Sequence, residues 1–203
     1  MMYLSCHQAD RKLSESSIKG YATWAAQHVE RGWDPYLLSF MFDYVPGSRA
    51  SVLKQMQREV ERVYSTALTR VVRKPRCEAA QGTLPLWIVC PDLPVPKRQK
   101  QSLRDVIVND GLHYEAIALI PPGSRLEEGL DVHFRHHQAL YVRPKQPLAR
   151  LRADPIIKDP GYVTEYALKS LSRQRFSLDE VLILPRSRSE FPRRSQATPC
   201  LSL

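Results

Sequence analysis

The sequence predicts an α+β fold, with one antiparallel sheet of about five strands covered by helices. Three observations predict it. Short apolar runs bounded by proline and glycine recur, as at residues 36–45 before Pro46-Gly47 and 112–120 before Pro121-Pro122-Gly123. Other segments carry apolar residues at helical spacing. The order is helix, strand, long helix, strand, strand, helix, strand, helix, strand, which is not a regular β-α-β alternation. No glycine-rich phosphate loop is present, so a Rossmann or Walker nucleotide site is disfavoured.

Residues 1–34 are polar, with Ile18, Tyr21, Ala22, Ala25 and Val29 at helical spacing and Ser14 and Ser16 available as caps. They read as an N-terminal helical extension, either packed on the main body or standing off as an accessory arm. Residues 36–45 form a buried strand. Ser48 then caps a long amphipathic segment at 52–72, with Val52, Met56, Val60, Val63, Ala67 and Val71 along one face. Its other face carries Lys54, Arg58, Arg62, Arg70 and Arg73, which suits a solvated surface or a phosphate-facing one. A loop at 74–83 leads to a second strand at 84–90. The proline- and lysine-rich stretch 91–101, with Lys97, Arg98 and Lys100, reads as an exposed basic loop. Residues 112–120 are a third strand, 126–140 a helix, 148–153 a short strand, 162–171 a helix and 181–184 the last strand. Arg186, Arg188, Arg193 and Arg194 sit among serines and prolines in what reads as a flexible basic tail at 186–203. The expected organisation is the extension at 1–34, one domain at 35–185 and the tail.

The net charge is +9 and the pI about 9.6. Such a balance favours polyanions, and nucleic acid over a membrane, because no apolar run approaches the length that spans a bilayer. A soluble basic enzyme could carry the same charge. Cys6, Cys77, Cys90 and Cys200 form no Cys-x-x-Cys pair, so a cysteine zinc site is not expected. Residues 1–11 lack the apolar core of a signal peptide, which makes a cytoplasmic protein with reduced thiols the expectation.

Two segments carry candidate chemistry. On a strand, His113 and Glu115 share a face with Tyr114 opposite, and an imidazole and a carboxylate so placed can hold one divalent cation. Two polar residues on an open sheet face would look the same. On a helix, Tyr162 and Tyr166 are one turn apart and Lys169 lies near their face. A phenol is a weak nucleophile near neutrality, but a metal ion polarising a phosphate, with a lysine nearby, makes phosphodiester attack feasible. Two packed tyrosines and a solvated lysine are the plain alternative. Asp43 and Asp92 are candidates for a third ligand that no motif supports. His133, His136 and His137 form a rival cluster, in which His133 and His137, one helical turn apart, could bind a transition metal. Arg135 between them argues against a cation, and a solvated or phosphate-facing helix is the expectation there.

Together, the His113-Tyr114-Glu115 strand and the Tyr162…Tyr166…Lys169 segment resemble the HUH endonuclease superfamily, in particular two-tyrosine rolling-circle replication initiators (Rep proteins). The resemblance spans roughly residues 36–185. It implies an HUH/Rep-like palm, a magnesium or manganese cofactor held by His113 and Glu115, and single-stranded DNA as partner, with no membrane. It implies Tyr166 as nucleophile forming a 5′-phosphotyrosine link, Tyr162 as second nucleophile or accessory residue, and Lys169 as the group that positions or neutralises the phosphate. Arg58, Arg62, Lys97, Arg98 and Lys100 would follow the DNA backbone. Two positions depart from the family pattern: Glu115 stands where the second motif histidine is found, and Glu165 where related initiators often have lysine. Metal-dependent nicking and rejoining of DNA in a plasmid, phage or mobile element is the function implied. A catalytically silent nucleic-acid-binding protein on the same fold is the alternative, and a basic protein-interaction module the third reading.

Overall fold

The computed structural model describes residues 2–77, 80, 82–94 and 108–186, with side chains from residue 11 onward. Lys97, Arg98, Lys100 and the tail beyond residue 186 therefore lie outside the described residues.

The elements in chain order are α1 (Met2–Glu30), β1 (Asp34–Phe42), α2 (Arg49–Val71), β2 (Leu86–Asp92), β3 (His113–Ile120), α3 (Leu130–His136), α4 (Gln138–Tyr141), β4 (Leu148–Pro155), α5 (Pro160–Ala167), α6 (Lys169–Ser172) and β5 (Leu182–Leu184). The five strands make one antiparallel sheet in the order β4-β1-β3-β2-β5. This is the expected α+β architecture, a sheet covered by helices. Among the described residues no helix is long and apolar enough to cross a membrane.

Side-chain alternation divides the core between the two sheet faces. On one face Leu38, Phe40, Trp87, Val89, Tyr114 and Ala116 pack under α2, whose Val52, Met56, Val60, Val63, Ala67 and Val71 are all buried. On the other, Ile88, Cys90, Ile117 and Leu119 pack against Ile18 and Ala25 of α1 and against Leu168 and Leu171. Covering both faces explains why β2 and β3 read as nearly unbroken apolar runs.

Several expectations are corrected. Ser14 and Ser16 do not cap, because α1 already begins at Met2 and passes through them. Of the two readings left open for that helix, it takes the packed one, lying on the sheet and on α5 rather than standing off as an arm. The helix expected over residues 126–140 starts only at Leu130 and breaks at His137 into α3 and α4, because Gly129 holds an extended conformation before it. The helix expected over 162–171 breaks at Leu168, whose ψ of 14° leaves the helical range. The second strand runs on to Asp92. Pro91 is tolerated there because β5 pairs only with Trp87, Ile88 and Val89, leaving the outer edge of β2 free of a partner at residue 91.

Candidate metal centre and tyrosine site

The antiparallel register of β2 and β3 sets Asp92 opposite His113 and Cys90 opposite Glu115. Asp92, His113 and Glu115 thus share the face covered by α1, α5 and α6. Their ligand atoms lie within 4.8 Å of one another, a spacing from which they could hold a metal ion. Asp43, the other candidate, is exposed, and its carboxylate is not part of this group.

His113 is held from behind. Its Nδ1 lies 2.9 Å from the Gly111 carbonyl, which fixes the proton on Nδ1 and turns Nε2 towards the carboxylates. The carbonyl is aimed by a left-handed run, with φ of 52° at Asn109, 54° at Asp110 and 74° at Gly111. The Asn109 side chain anchors that run by donating to the Asp43 carbonyl and accepting from the Val45 amide, each at 2.9 Å. Backbone strain before β3 therefore orients the imidazole.

The break at Leu168 gives Lys169 a path into this cluster. Its Nζ sits 2.5 Å from Asp92 Oδ2 and 2.8 Å from Glu115 Oε2. His113 Nε2 lies 3.3 Å from Asp92 and 3.8 Å from Glu115. Ser170 donates to the remaining Asp92 oxygen. Burial alone would raise the Asp92 pKa, but hydrogen bonds from His113, Lys169 and Ser170 bring it down to about 2. Burial alone would lower that of His113, but Asp92 and Glu115 bring it up to about 9. Burial would likewise lower Lys169, yet the same two carboxylates raise it. Two carboxyl groups thus face two basic groups, His113 and Lys169, whose protonated forms they favour.

Tyr166 joins the cluster through Lys169, whose Nζ lies 4.4 Å from the centre of the tyrosine ring. Tyr166 is 44% and Tyr162 65% exposed, so α5 presents both rings to solvent. The Tyr162 amide is capped at 2.9 Å by the Asp159 carboxylate, which starts α5 at this point. The structure therefore brings together His113, Glu115, Lys169 and Tyr166, with Tyr162 one turn away. Arg58 and Arg62 lie on α2, across the sheet from this site. Arg58 is exposed. Arg62 turns inward, where it donates to Glu59 and to the Tyr141 carbonyl, so it does not offer a free phosphate-facing charge.

Sequence reasoning named Asp92 without placing it and missed Ser170 and Arg175. Arg175 donates from Nη1 to the Leu93 carbonyl at 3.2 Å, beside the exit of β2. The signal that could have placed Asp92 is parity: Ile88, Cys90 and Asp92 alternate on one face, as His113 and Glu115 do on the neighbouring strand.

A second cluster lies under α3, on the α2 side of the sheet. Glu128, His133 and His137 offer ligand atoms within 4.8 Å of one another. His133 is buried, not solvated as expected, and its Nε2 lies 2.8 Å from the Tyr141 hydroxyl. Burial, then the neighbouring His137, holds its pKa below the ordinary histidine value. Arg135, the residue expected to repel a cation, turns out to Asp131 at 3.4 Å. No family model, no curated protein and no solved structure matches the chain, so its functional reading rests on this geometry.

Proposed function

We propose that this protein is a metal-dependent enzyme that nicks and rejoins single-stranded DNA through Tyr166, using magnesium or manganese held by Asp92, His113 and Glu115. One observation carries the reading: Lys169 lies between two cation-binding carboxylates and against the ring of an exposed tyrosine. Ligand chemistry, scissile-phosphate chemistry and nucleophile thus meet at one side chain.

Two carboxylates and one imidazole make a hard oxygen-rich set, suited to magnesium or manganese. A bound divalent ion would supply Lewis-acid polarisation of the phosphate oxygens. Charge balance supports its entry. Loss of the extra His113 proton and withdrawal of Lys169 would remove two positive charges, which a divalent ion held by Asp92, His113 and Glu115 would replace. The released Lys169 ammonium then faces the phosphate, where it offsets the charge that develops on the oxygens. Tyr166 Oη forms a bond to phosphorus as the bond from phosphorus to the 3′ oxygen breaks. The phenolic proton is lost and the 3′ oxygen takes one up, leaving a 5′-phosphotyrosine and a free 3′ hydroxyl. Rejoining is the reverse. Tyr162, exposed one turn away, offers an aromatic face to a base or a second hydroxyl for the return step.

A second reading is favoured by the same lysine. With Lys169 and His113 already neutralising both carboxylates, the fold needs no metal, and a catalytically silent nucleic-acid-binding protein would keep this arrangement. Incubation with a pool of single-stranded oligonucleotides and manganese, followed by denaturing gel and mass mapping, separates the two. The nicking reading expects a covalent adduct on Tyr166 that Tyr166→Phe abolishes. Salt-sensitive binding without any adduct favours the silent protein.

A further inference from the structure

We propose that Glu128, His133 and His137 form a second metal site, distinct from the Asp92 cluster, which takes a transition-metal ion of the zinc class and pins the segment before α3 to that helix.

The donor set is two imidazoles and one carboxylate, the composition that suits zinc with its fourth position open to water. His133 and His137 are one helical turn apart and face the same side. Their rings lie 4.7 Å apart. Glu128 comes from the segment preceding α3, and its Oε1 lies 3.9 Å from His133 Nδ1. Ligand atoms around a tetrahedral ion with bonds of about 2.0–2.1 Å stand roughly 3.3 Å apart. Closing the cluster from its 4.8 Å spread would call on the side chains of exposed His137 and half-buried Glu128.

The surroundings fit ligand roles. Tyr141 Oη meets His133 Nε2 at 2.8 Å, which fixes the buried ring and leaves Nδ1 aimed at Glu128. His136 Nδ1 lies 3.1 Å from the other Glu128 oxygen and orients that carboxylate. Hydrogen bonds of this kind, here to two of the three ligands, are characteristic of metal sites. Arg70 faces the cluster from α2, and the charge of Glu128 offsets it. No lysine or arginine side chain bonds to these three residues among the described ones, in contrast to the Asp92 cluster with its internal ammonium.

The test is calorimetric titration of the full chain, stripped with chelator and dialysed, using zinc in a large excess of magnesium. The native chain is expected to bind zinc with an affinity lowered at least about 10-fold in His137→Ala and unchanged in Arg135→Ala, an exposed residue of the same helix whose side chain turns away to Asp131. His137 is exposed, so its replacement leaves the core intact, and Glu128→Gln, which keeps the shape, is expected to show the same loss. Bound zinc should also raise the melting temperature of the native chain and not that of His137→Ala. Zinc affinity unchanged in both His137→Ala and Glu128→Gln overturns the proposal.

Discussion

The two histidine–carboxylate clusters sit on opposite sides of one sheet and are built in opposite ways. Asp92, His113 and Glu115 come from neighbouring strands, and Lys169 reaches them from a helix 54 residues away in sequence from Glu115. Glu128, His133 and His137 come from one short stretch around α3. The first is plugged by its own ammonium. The second is bordered by hydrogen bonds, and among the described residues no lysine or arginine bonds to its three ligands. A plugged site trades one set of charges for another when a divalent ion enters, which couples binding to a proton and to the motion of a lysine. An unplugged site needs only rotamer adjustment. Donor count alone does not define a metal site; what already neutralises the donors decides how it responds.

The largest effect expected on this comparison comes from Asp92→Ala. Its carboxylate is buried, and the change strands Lys169 and His113 without it, at a cost of about 3–5 kcal/mol, read by urea unfolding of the metal-free protein. Removing the plug should act the other way on metal: Lys169→Met is expected to raise manganese affinity at least about 10-fold while abolishing the DNA adduct, as read by calorimetry and denaturing gel. Unchanged manganese affinity would mean that Lys169 does not compete for the site.

A smaller, graded effect is expected with pH. The folded-state pKa of His113, about 9, lies above its ordinary 6.5, so its contribution to metal-free stability is full below 6.5 and lost as pH rises through 9. That of Asp92, about 2, lies below its ordinary 3.8, so its contribution holds above 3.8 and is lost as pH falls through 2. Manganese competes with the His113 proton, so its affinity should climb by up to about 10-fold per pH unit between roughly pH 7 and pH 9. A flat profile would place the metal away from His113. The smallest effect is expected at the other cluster: without zinc, His137→Ala should change the melting temperature by no more than about 2 °C, since the side chain is exposed.

Much of this was legible in the sequence, because periodicity and turn residues report burial directly. The buried stripe of α2, from Val52 to Val71, follows from spacing alone. So does the shared face of His113 and Glu115. What was not legible depends on three-dimensional partners. The break at Leu168 carries no glycine or proline to announce it, yet it delivers Lys169 to the carboxylates. Arg62 looks like any residue of a basic helix face until the Tyr141 carbonyl is seen to draw it inward. His133 reads as a solvated histidine because the tyrosine that fixes it lies eight residues on, past the turn between α3 and α4.

The most direct test of the central claim, that the Asp92 cluster and Tyr166 act as one site, is the yield of covalent DNA adduct against manganese concentration for the native chain and for Asp92→Asn. The expected result is an adduct on Tyr166 that chelator abolishes and that the variant forms only at manganese concentrations at least about 10-fold higher, if at all. An adduct formed equally well without metal, or with the same manganese dependence in Asp92→Asn, would contradict it.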